Sequence, residues 1–221
     1  MPHDLSAFSQ SYAQARSQFL AAASAAGLAV QSLAHPLPGR DCEALDVALA
    51  GSPTATKLLV ISSAVHGVEG NCGSGVQVHS LRHTDWFAGR WPDAQRGDDV
   101  AVLYLHAVNP WGFSHGRRVM HENVDLNRNF VDFDQPLPLN AGYRSVHDLL
   151  LPAQWPPSPA HEAGVAQFIA TQGMPALQAA VSSGQYEFAD GLFYGGHAPT
   201  WSHLALRQVL REHTRHTRQQ A

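Results

Sequence analysis

The sequence has few cysteines and no long apolar run, and these absences exclude several classes of protein. Cys42 and Cys72 are its only cysteines, which are too few for a disulfide scaffold and do not have the spacing of a zinc knuckle. We interpret them as reduced thiols, which indicates a cytoplasmic protein. Residues 1–4 do not begin a basic region followed by an apolar core, so no signal peptide is predicted. No apolar run approaches the roughly 20 residues that span a bilayer, so no membrane partner is expected.

Charged residues are also sparse, at 14% of the 221 residues, and the formal net charge is −4. A nucleic-acid-binding surface would show as a basic stripe, and the sequence contains none, so we expect no nucleic-acid partner. Hydrophobic residues make up 44% of the chain, which is enough for a sizeable core. The length is enough for one large α/β domain or two small ones.

The hydrophobic pattern predicts alternating helices and strands. A helix is expected over residues 5–26, capped by Asp4 and ended by Gly27. An extended, proline-rich surface excursion is expected over residues 131–160, and an aromatic-rich loop over 184–196. The predicted strands cover residues 43–50, 57–65 and 100–108, and the other predicted helices cover residues 73–82, 161–181 with an interruption near Gly173, and 201–213.

Two of these strands lead into polar motifs. Residues 57–65 read as a central strand that leads to His66, and residues 100–108 as a second buried strand that leads to Asn109. The long connection between them implies a parallel crossover. Because ligands bind beyond the carboxyl ends of strands in open α/β sheets, we expect the two motifs to meet at one edge of a mostly parallel sheet.

The first motif, His66-Gly67-Val68-Glu69-Gly70, offers an imidazole and a carboxylate three residues apart. Such a pair can give two ligands to one Zn²⁺, whose catalytic sites use three protein ligands and a water molecule. The glycines let the backbone turn sharply between the two side chains. Taken alone, the pair is better explained by a surface histidine and a glutamate at the start of a helix.

Downstream residues supply positive charge and an amide. Asn127 and Arg128 form a receptor for a carboxylate, because a guanidinium donates two parallel hydrogen bonds. Arg117 or Arg118 can stabilise the negative charge that develops on a carbonyl oxygen. The structural alternatives are an ion pair for Arg128 and a solvated basic turn for Arg117 and Arg118.

Four motifs in this order resemble the zinc carboxypeptidase superfamily, and most of all a bacterial group of uncharacterised members called DUF2817. They are the segment 66–70, Asn-Pro-Trp-Gly-Phe at 109–113, the arginine pair 117–118, and Val-Asp-Leu-Asn-Arg-Asn-Phe at 124–130. Segments 184–186 and 191–196 add to the likeness. The resemblance implies a single α/β domain over residues 1–221 with a three-layer fold, in which a mixed, mostly parallel sheet is flanked by helices.

The resemblance also implies roles for individual residues. His66 and Glu69 would be zinc ligands, and Arg118, or else Arg117, would polarise the scissile carbonyl. Asn127 and Arg128 would hold the carboxylate of a small peptide or of an acylated amino acid. The reaction would be hydrolysis of a peptide or amide bond.

The sequence departs from the family pattern after Arg128, where a histidine ligand after a later strand and then a glutamate base are expected. None of the later histidines follows a strand-like run, and Glu162, Glu187 and Glu212 are poor candidates for the base. We therefore expect a C-terminally incomplete domain with weak zinc binding and little hydrolase activity of its own. The later histidines are at positions 147, 161, 197, 203, 213 and 216.

Three other interpretations remain open at this point. A deacylase acting on acylated amino acids has the same chemistry, whereas a non-catalytic relic would bind an acidic ligand through Asn127 and Arg128. A serine hydrolase is disfavoured, because Ser62 and Ser63 precede His66 without a Gly-x-Ser-x-Gly elbow. The aromatic residues Tyr186, Phe188 and Trp201 can line a substrate pocket or pack in the core.

Overall fold

The computed structural model describes residues 5–52, 55–83 and 100–218. The chain forms two compact units, unit 1 from Met1–Met120 with Trp201–Ala221, and unit 2 from His121–Thr200. No helix among the described residues is both long and apolar enough to cross a membrane. The predicted Asp4 cap and the turn-rich stretch 85–99 fall outside the described residues.

Unit 1 holds a four-stranded mixed sheet in the order β1-β2-β4-β3. Two neighbouring pairs are antiparallel and the β3–β4 pair is parallel, so the described part of the sheet is mixed but not mostly parallel as predicted. The strands are β1 (Val30–Ala34), β2 (Ala44–Ala50), β3 (Lys57–Ser62) and β4 (Val100–His106).

The predicted parallel crossover is confirmed, but the prediction that β3 is central is wrong for the described sheet. In that sheet β3 lies at an edge, and its side chains at Leu59 and Val60 are each 39% exposed. A continuous apolar run does not by itself distinguish a central strand from an edge strand. β4 is the central strand that the sequence pattern describes, since nearly all its residues are buried.

The helices of unit 1 pack on the sheet, and the hydrophobic cluster between them contains several alanines. Ser11 caps the first long helix by accepting a hydrogen bond from the Gln14 amide, which satisfies one of its free N–H groups. Phe19 and Val78 pack with β4 residue Tyr104 in the main hydrophobic cluster. The helices are α1 (Tyr12–Ala25), α2 (Gly70–Arg82), α3 (Pro110–Ser114) and α8 (Trp201–Arg218), preceded by a 3₁₀ turn at Leu5–Ala7.

Unit 2 is helical among its described residues. The sequence analysis predicts an extended excursion over residues 131–160, but the structure has a helix at Ala141–Leu150 within it, so that prediction is wrong for this segment. The two helices separated at Gly173 are predicted correctly. Gly173 has a φ of 85°, a conformation that glycine adopts without steric cost. The helices of unit 2 are α4 (Leu126–Asn129), α5 (Ala141–Leu150), α6 (Pro159–Gln172) and α7 (Met174–Ser182).

A buried polar network crosses the core of unit 1. Arg16 donates to both carboxylate oxygens of Asp46, at 2.8 and 3.0 Å. Asp46 lies opposite His106 in the register of β2 and β4, and its Oδ2 is 3.8 Å from His106 Nδ1. His106 Nε2 lies 2.9 Å from the Ser74 hydroxyl, and its ring stacks on Phe19. This network fixes α1 and α2 to the middle of the sheet.

The burial of His106 makes a testable prediction about acid stability. Burial lowers the pKa of His106 from 6.5 to about 4, so below pH 6.5 the unfolded chain binds a proton that the folded chain excludes. The free energy of unfolding should therefore fall by about 3 kcal/mol as the pH drops from 6.5 to 4. Urea unfolding across this range should show that loss, and His106→Gln should lack this part of the pH dependence. Equal slopes in both proteins would contradict the burial of a neutral imidazole.

Candidate metal and substrate site

The candidate metal pair follows β3, where the chain leaves the sheet. Beyond the end of β3, Ser63 O accepts a hydrogen bond from the Val108 amide at 3.0 Å, and Ala64 O accepts one from Asn109 at 2.9 Å. The two strands therefore stay together until both motifs begin. The prediction that the motifs at 66–70 and 109–113 lie at one edge of the sheet is confirmed within unit 1.

His66 and Glu69 lie close together in this turn. The turn is a 3₁₀ helix over Gly67–Glu69, and His66 Nδ1 lies 3.3 Å from Glu69 Oε1. The His66 side chain is 9% exposed and the Glu69 side chain 65% exposed. A fixed imidazole therefore faces a carboxylate that solvent reaches.

This separation suits a shared metal ion. Zinc bonds of about 2.0–2.1 Å at tetrahedral angles place two ligand atoms about 3.4 Å apart, close to the 3.3 Å between His66 and Glu69. In the described part of the chain, no group of three or more His, Cys, Asp or Glu side chains is arranged to hold a metal. The same 3.3 Å separation is also that of a hydrogen bond between the two side chains, so the metal-binding role of His66 and Glu69 stays a prediction.

Two glycines let the turn pack directly on α3. A Cβ on Gly67 would lie 1.9 Å from the carbonyl carbon of Gly112, and one on Gly70 would lie 2.4 Å from the ring of Phe113. Since the Gly67 contact is between two backbones, no side-chain rotation relieves it. The glycines of the first motif are therefore required by its contact with the second.

The second motif also fixes the arginine pair. Asn109 is fully buried; it caps α3 by accepting from the Gly112 amide at 2.8 Å and donates to Val119 O at 3.2 Å. Arg117 N donates to Gly112 O at 2.8 Å, and Arg117 O accepts from Val68 N at 3.1 Å. The backbone of the arginine pair is thus bonded to the turn that carries Glu69.

The two arginines differ in exposure, because Arg117 is exposed and Arg118 is half-buried. This difference favours Arg118 as the residue with a fixed side chain. Its role at a carbonyl oxygen stays a prediction.

One buried residue behind the turn is missed by the sequence analysis. The Gln77 amide donates to Ile61 O at 2.8 Å and to Leu105 O at 3.2 Å, and its oxygen accepts from the Ser63 hydroxyl at 2.9 Å. A glutamine of α2 is thus bonded to the backbone of both β3 and β4 near their carboxyl ends. No local pattern marks this residue, because glutamine usually lies at a helix surface.

The carboxylate-binding pair belongs to unit 2, at the short helix α4. Asp125 caps this helix by accepting from the Asn127 amide at 3.0 Å. Asn127 is exposed and Arg128 is half-buried. The guanidinium of Arg128 donates to Ser182 O at 2.8 Å and lies 5.7 Å from the centre of the Phe193 ring. Unit 2 therefore holds the arginine side chain in a defined position.

The neighbouring Asn129 ties α4 to the aromatic-rich loop. It is fully buried, donates to Gly195 O and Ala198 O at 2.9 Å each, and accepts from the Thr200 amide at 2.9 Å. Tyr186 donates to Arg128 O at 2.7 Å. Of the aromatic residues considered for a pocket, Tyr186 thus supports the backbone of the carboxylate-binding pair.

The other two aromatic residues contact histidines. Phe188 stacks on His147, and Trp201 packs edge-on against His35. These contacts agree with a packing role for both side chains.

The structure thus groups the predicted residues by unit. His66, Glu69, Arg117 and Arg118 lie in unit 1, and Asn127 and Arg128 lie in unit 2. That the two groups act on one substrate stays a prediction.

Comparison with known proteins identifies a family but no characterised relative. No curated protein and no solved structure matches the chain. The model of a family described as a protein of unknown function, DUF2817, matches residues 8–221. The chain therefore belongs to the DUF2817 family.

Proposed function

We propose that this chain has the chemistry of the zinc carboxypeptidase superfamily, directed at a peptide or amide bond next to a carboxylate, with weak zinc binding and little hydrolase activity of its own. The observation that carries the proposal is the 3.3 Å separation of His66 Nδ1 and Glu69 Oε1 at the end of β3. This separation matches two ligands of one zinc ion. The order of the four motifs along the chain supports the same chemistry.

In this proposal His66 and Glu69 hold the ion, and the buried imidazole provides the fixed part of the site. When bound, zinc supplies Lewis acidity toward an amide carbonyl and toward a water molecule. The packing of Gly67 on Gly112 keeps the backbone of the turn in place before the ion arrives. Such preorganisation reduces the cost of assembling the site.

The remaining residues bind and orient the substrate. Arg118, or else Arg117, stabilises the negative charge that develops on the carbonyl oxygen. Asn127 and Arg128 bind the carboxylate of the substrate, and Ser182 O positions the guanidinium for it. The substrate class is a small peptide or an acylated amino acid.

The zinc proposal predicts a specific loss of metal affinity. Zinc titration of the chain by calorimetry should detect a site that Glu69→Gln weakens by about 100-fold, since a ligand carboxylate is lost. The thermal stability of the metal-free variant should match that of the wild type, because the Glu69 side chain is 65% exposed.

Unit 2 offers a matched control for this variant. His121 Nδ1 and Glu122 Oε2 also form a histidine–glutamate pair, but they lie 2.8 Å apart, closer than two tetrahedral zinc ligands. Glu122→Gln should therefore leave zinc affinity unchanged. Equal affinities in wild type and Glu69→Gln would overturn the proposed metal site.

A non-catalytic acidic-ligand protein is the second candidate, and the fixed position of Arg128 favours it. An assay with dipeptides and N-acetyl amino acids separates the two functions. Zinc-dependent release of an amino acid supports hydrolysis, and the preferred substrate distinguishes a peptidase from a deacylase. Carboxylate binding that Arg128→Lys weakens, without turnover at saturating zinc, supports the second candidate.

A further inference from the structure

The exposed face of α2 carries a pair of histidines, at the opposite end of this helix from the turn that holds His66 and Glu69. The exposed positions Cys72, Val76, His79 and His83 recur at intervals of four, three and four residues along the helix and its C-cap. This spacing places them on one stripe of the helix surface. The two histidines occupy its C-terminal end.

His79 and His83 have the spacing of a bidentate metal site. Histidines at positions i and i+4 on one helix face can bind the same ion, as they do in helical zinc motifs. The centres of the two rings are 4.4 Å apart and the rings are tilted by 45°. Two imidazoles that share one ion, with bonds of about 2.0–2.1 Å, have ring centres roughly 5 Å apart, so a small side-chain adjustment suffices.

The local electrostatics also suit a cation. The C-terminal end of a helix carries partial negative charge, and α2 ends at Arg82, with the His83 amide bonded to His79 O. Among the described residues of this turn, the fixed positive charge belongs to Arg82, whose guanidinium donates to the Ser6 hydroxyl at 3.0 Å. The hydrogen bond orients that charge toward the 3₁₀ turn Leu5–Ala7.

We propose that His79 and His83 form a surface site for a divalent transition-metal ion, separate from the His66–Glu69 pair. Imidazole ligands suit nickel, copper and zinc, and solvent supplies the remaining ligands at an exposed site. Because protons compete with the metal for the ring nitrogens, binding weakens as the solution is acidified. The bound ion links two successive turns at the end of α2.

Calorimetric titration of the untagged full chain with nickel chloride tests this site. The wild type should bind an ion that His79→Asn and His83→Asn each weaken on the order of tenfold or more. Glu69→Gln should retain this binding, so that failure of the first metal site is distinguishable from failure of the second. His115→Asn, which replaces an exposed histidine that stacks on Trp111, serves as the control and should change nothing.

A relocated pair provides a test of geometry independent of stability. Val76 is 53% exposed and lies three residues before His79 on the same stripe. The double variant His83→Asn, Val76→His should therefore regain nickel binding through a pair at positions i and i+3. Nickel affinity unaffected by His79→Asn or by His83→Asn would overturn the proposal, as would failure of the double variant to regain binding while remaining folded.

Discussion

Gly67→Ala should destabilise unit 1 by about 3 kcal/mol or more, because the added methyl group overpacks a contact between two backbones. The new Cβ would lie 1.9 Å from Gly112 C and 2.1 Å from Phe113 N. Relief requires α3 to move away from the turn, which also displaces Asn109 and the backbone bond between Val68 and Arg117. Urea unfolding should show the loss, and zinc affinity should fall with it.

A glycine-to-alanine change elsewhere controls for the general effect of adding a methyl group. Gly164 lies inside α6, where a Cβ would meet only the end of the Leu149 side chain, at 3.2 Å. Gly164→Ala should change the free energy of unfolding by no more than about 1 kcal/mol, since alanine is also the better helix former. If Gly67→Ala proved as mild as this control, the proposed close packing of the two motifs would be wrong.

Arg16→Ala is the second change with a large expected effect. It leaves the Asp46 carboxylate, which is fully buried, without the guanidinium that donates to both of its oxygens. Removing one partner of a buried ion pair typically costs about 3–5 kcal/mol. Because the Arg16 side chain is 20% exposed, we expect a loss near the lower end, about 3 kcal/mol, by urea unfolding.

An exposed ion pair of unit 2 provides the comparison. Arg144 bonds Glu187, and their side chains are 63% and 29% exposed. Arg144→Ala should cost less than about 1 kcal/mol, because water replaces much of the lost interaction. If Arg16→Ala lowered the free energy of unfolding by as little as Arg144→Ala, the burial of Asp46 would not depend on its ion pair with Arg16.

Sequence patterns predict the strands that carry the two motifs, and they fail where polar residues are buried. The alternation over residues 43–50 places Asp46 on the outward side of a half-buried strand, yet Asp46 is fully buried. The Arg16 guanidinium and the Ser32 hydroxyl donate hydrogen bonds to its carboxylate, and both residues lie far from Asp46 in the sequence. Periodicity alone cannot identify such long-range partners, so it predicts the location of β2 but not the burial of both its faces.

The missed elements have weak local signals. In β1 (Val30–Ala34) the two polar residues, Gln31 and Ser32, are adjacent, so the strand shows no alternation of polar and apolar residues, and its pairing with β2 defines it. The α5 helix lies within residues 131–160, and the six prolines of that stretch predict extended structure more strongly than the local periodicity predicts a helix. Its Asn140 cap accepts from the Tyr143 amide and donates to Ala180 O and Gly184 O, so tertiary contacts stabilise the start of this helix.

For the candidate site, residue order along the chain is more informative than any single residue. The His66–Glu69 pair is predicted from its spacing, and its role as a pair of metal ligands stays a prediction. The contribution of Gln77 behind the turn is missed, because its partners are backbone carbonyls that no sequence pattern marks. Likewise, the role of Asn129 in holding the aromatic-rich loop depends on contacts about 70 residues away.

The most direct test of the proposed chemistry is the position of zinc in crystals of this chain, found from anomalous scattering at the zinc absorption edge. The proposal predicts a peak bonded to both His66 Nδ1 and the Glu69 carboxylate, with Arg128 within the reach of a small peptide bound at the ion. At saturating zinc, the absence of a peak bonded to both of these side chains would contradict it, whatever peaks lie elsewhere. So would a peak at this pair with Arg128 on a remote face of the molecule.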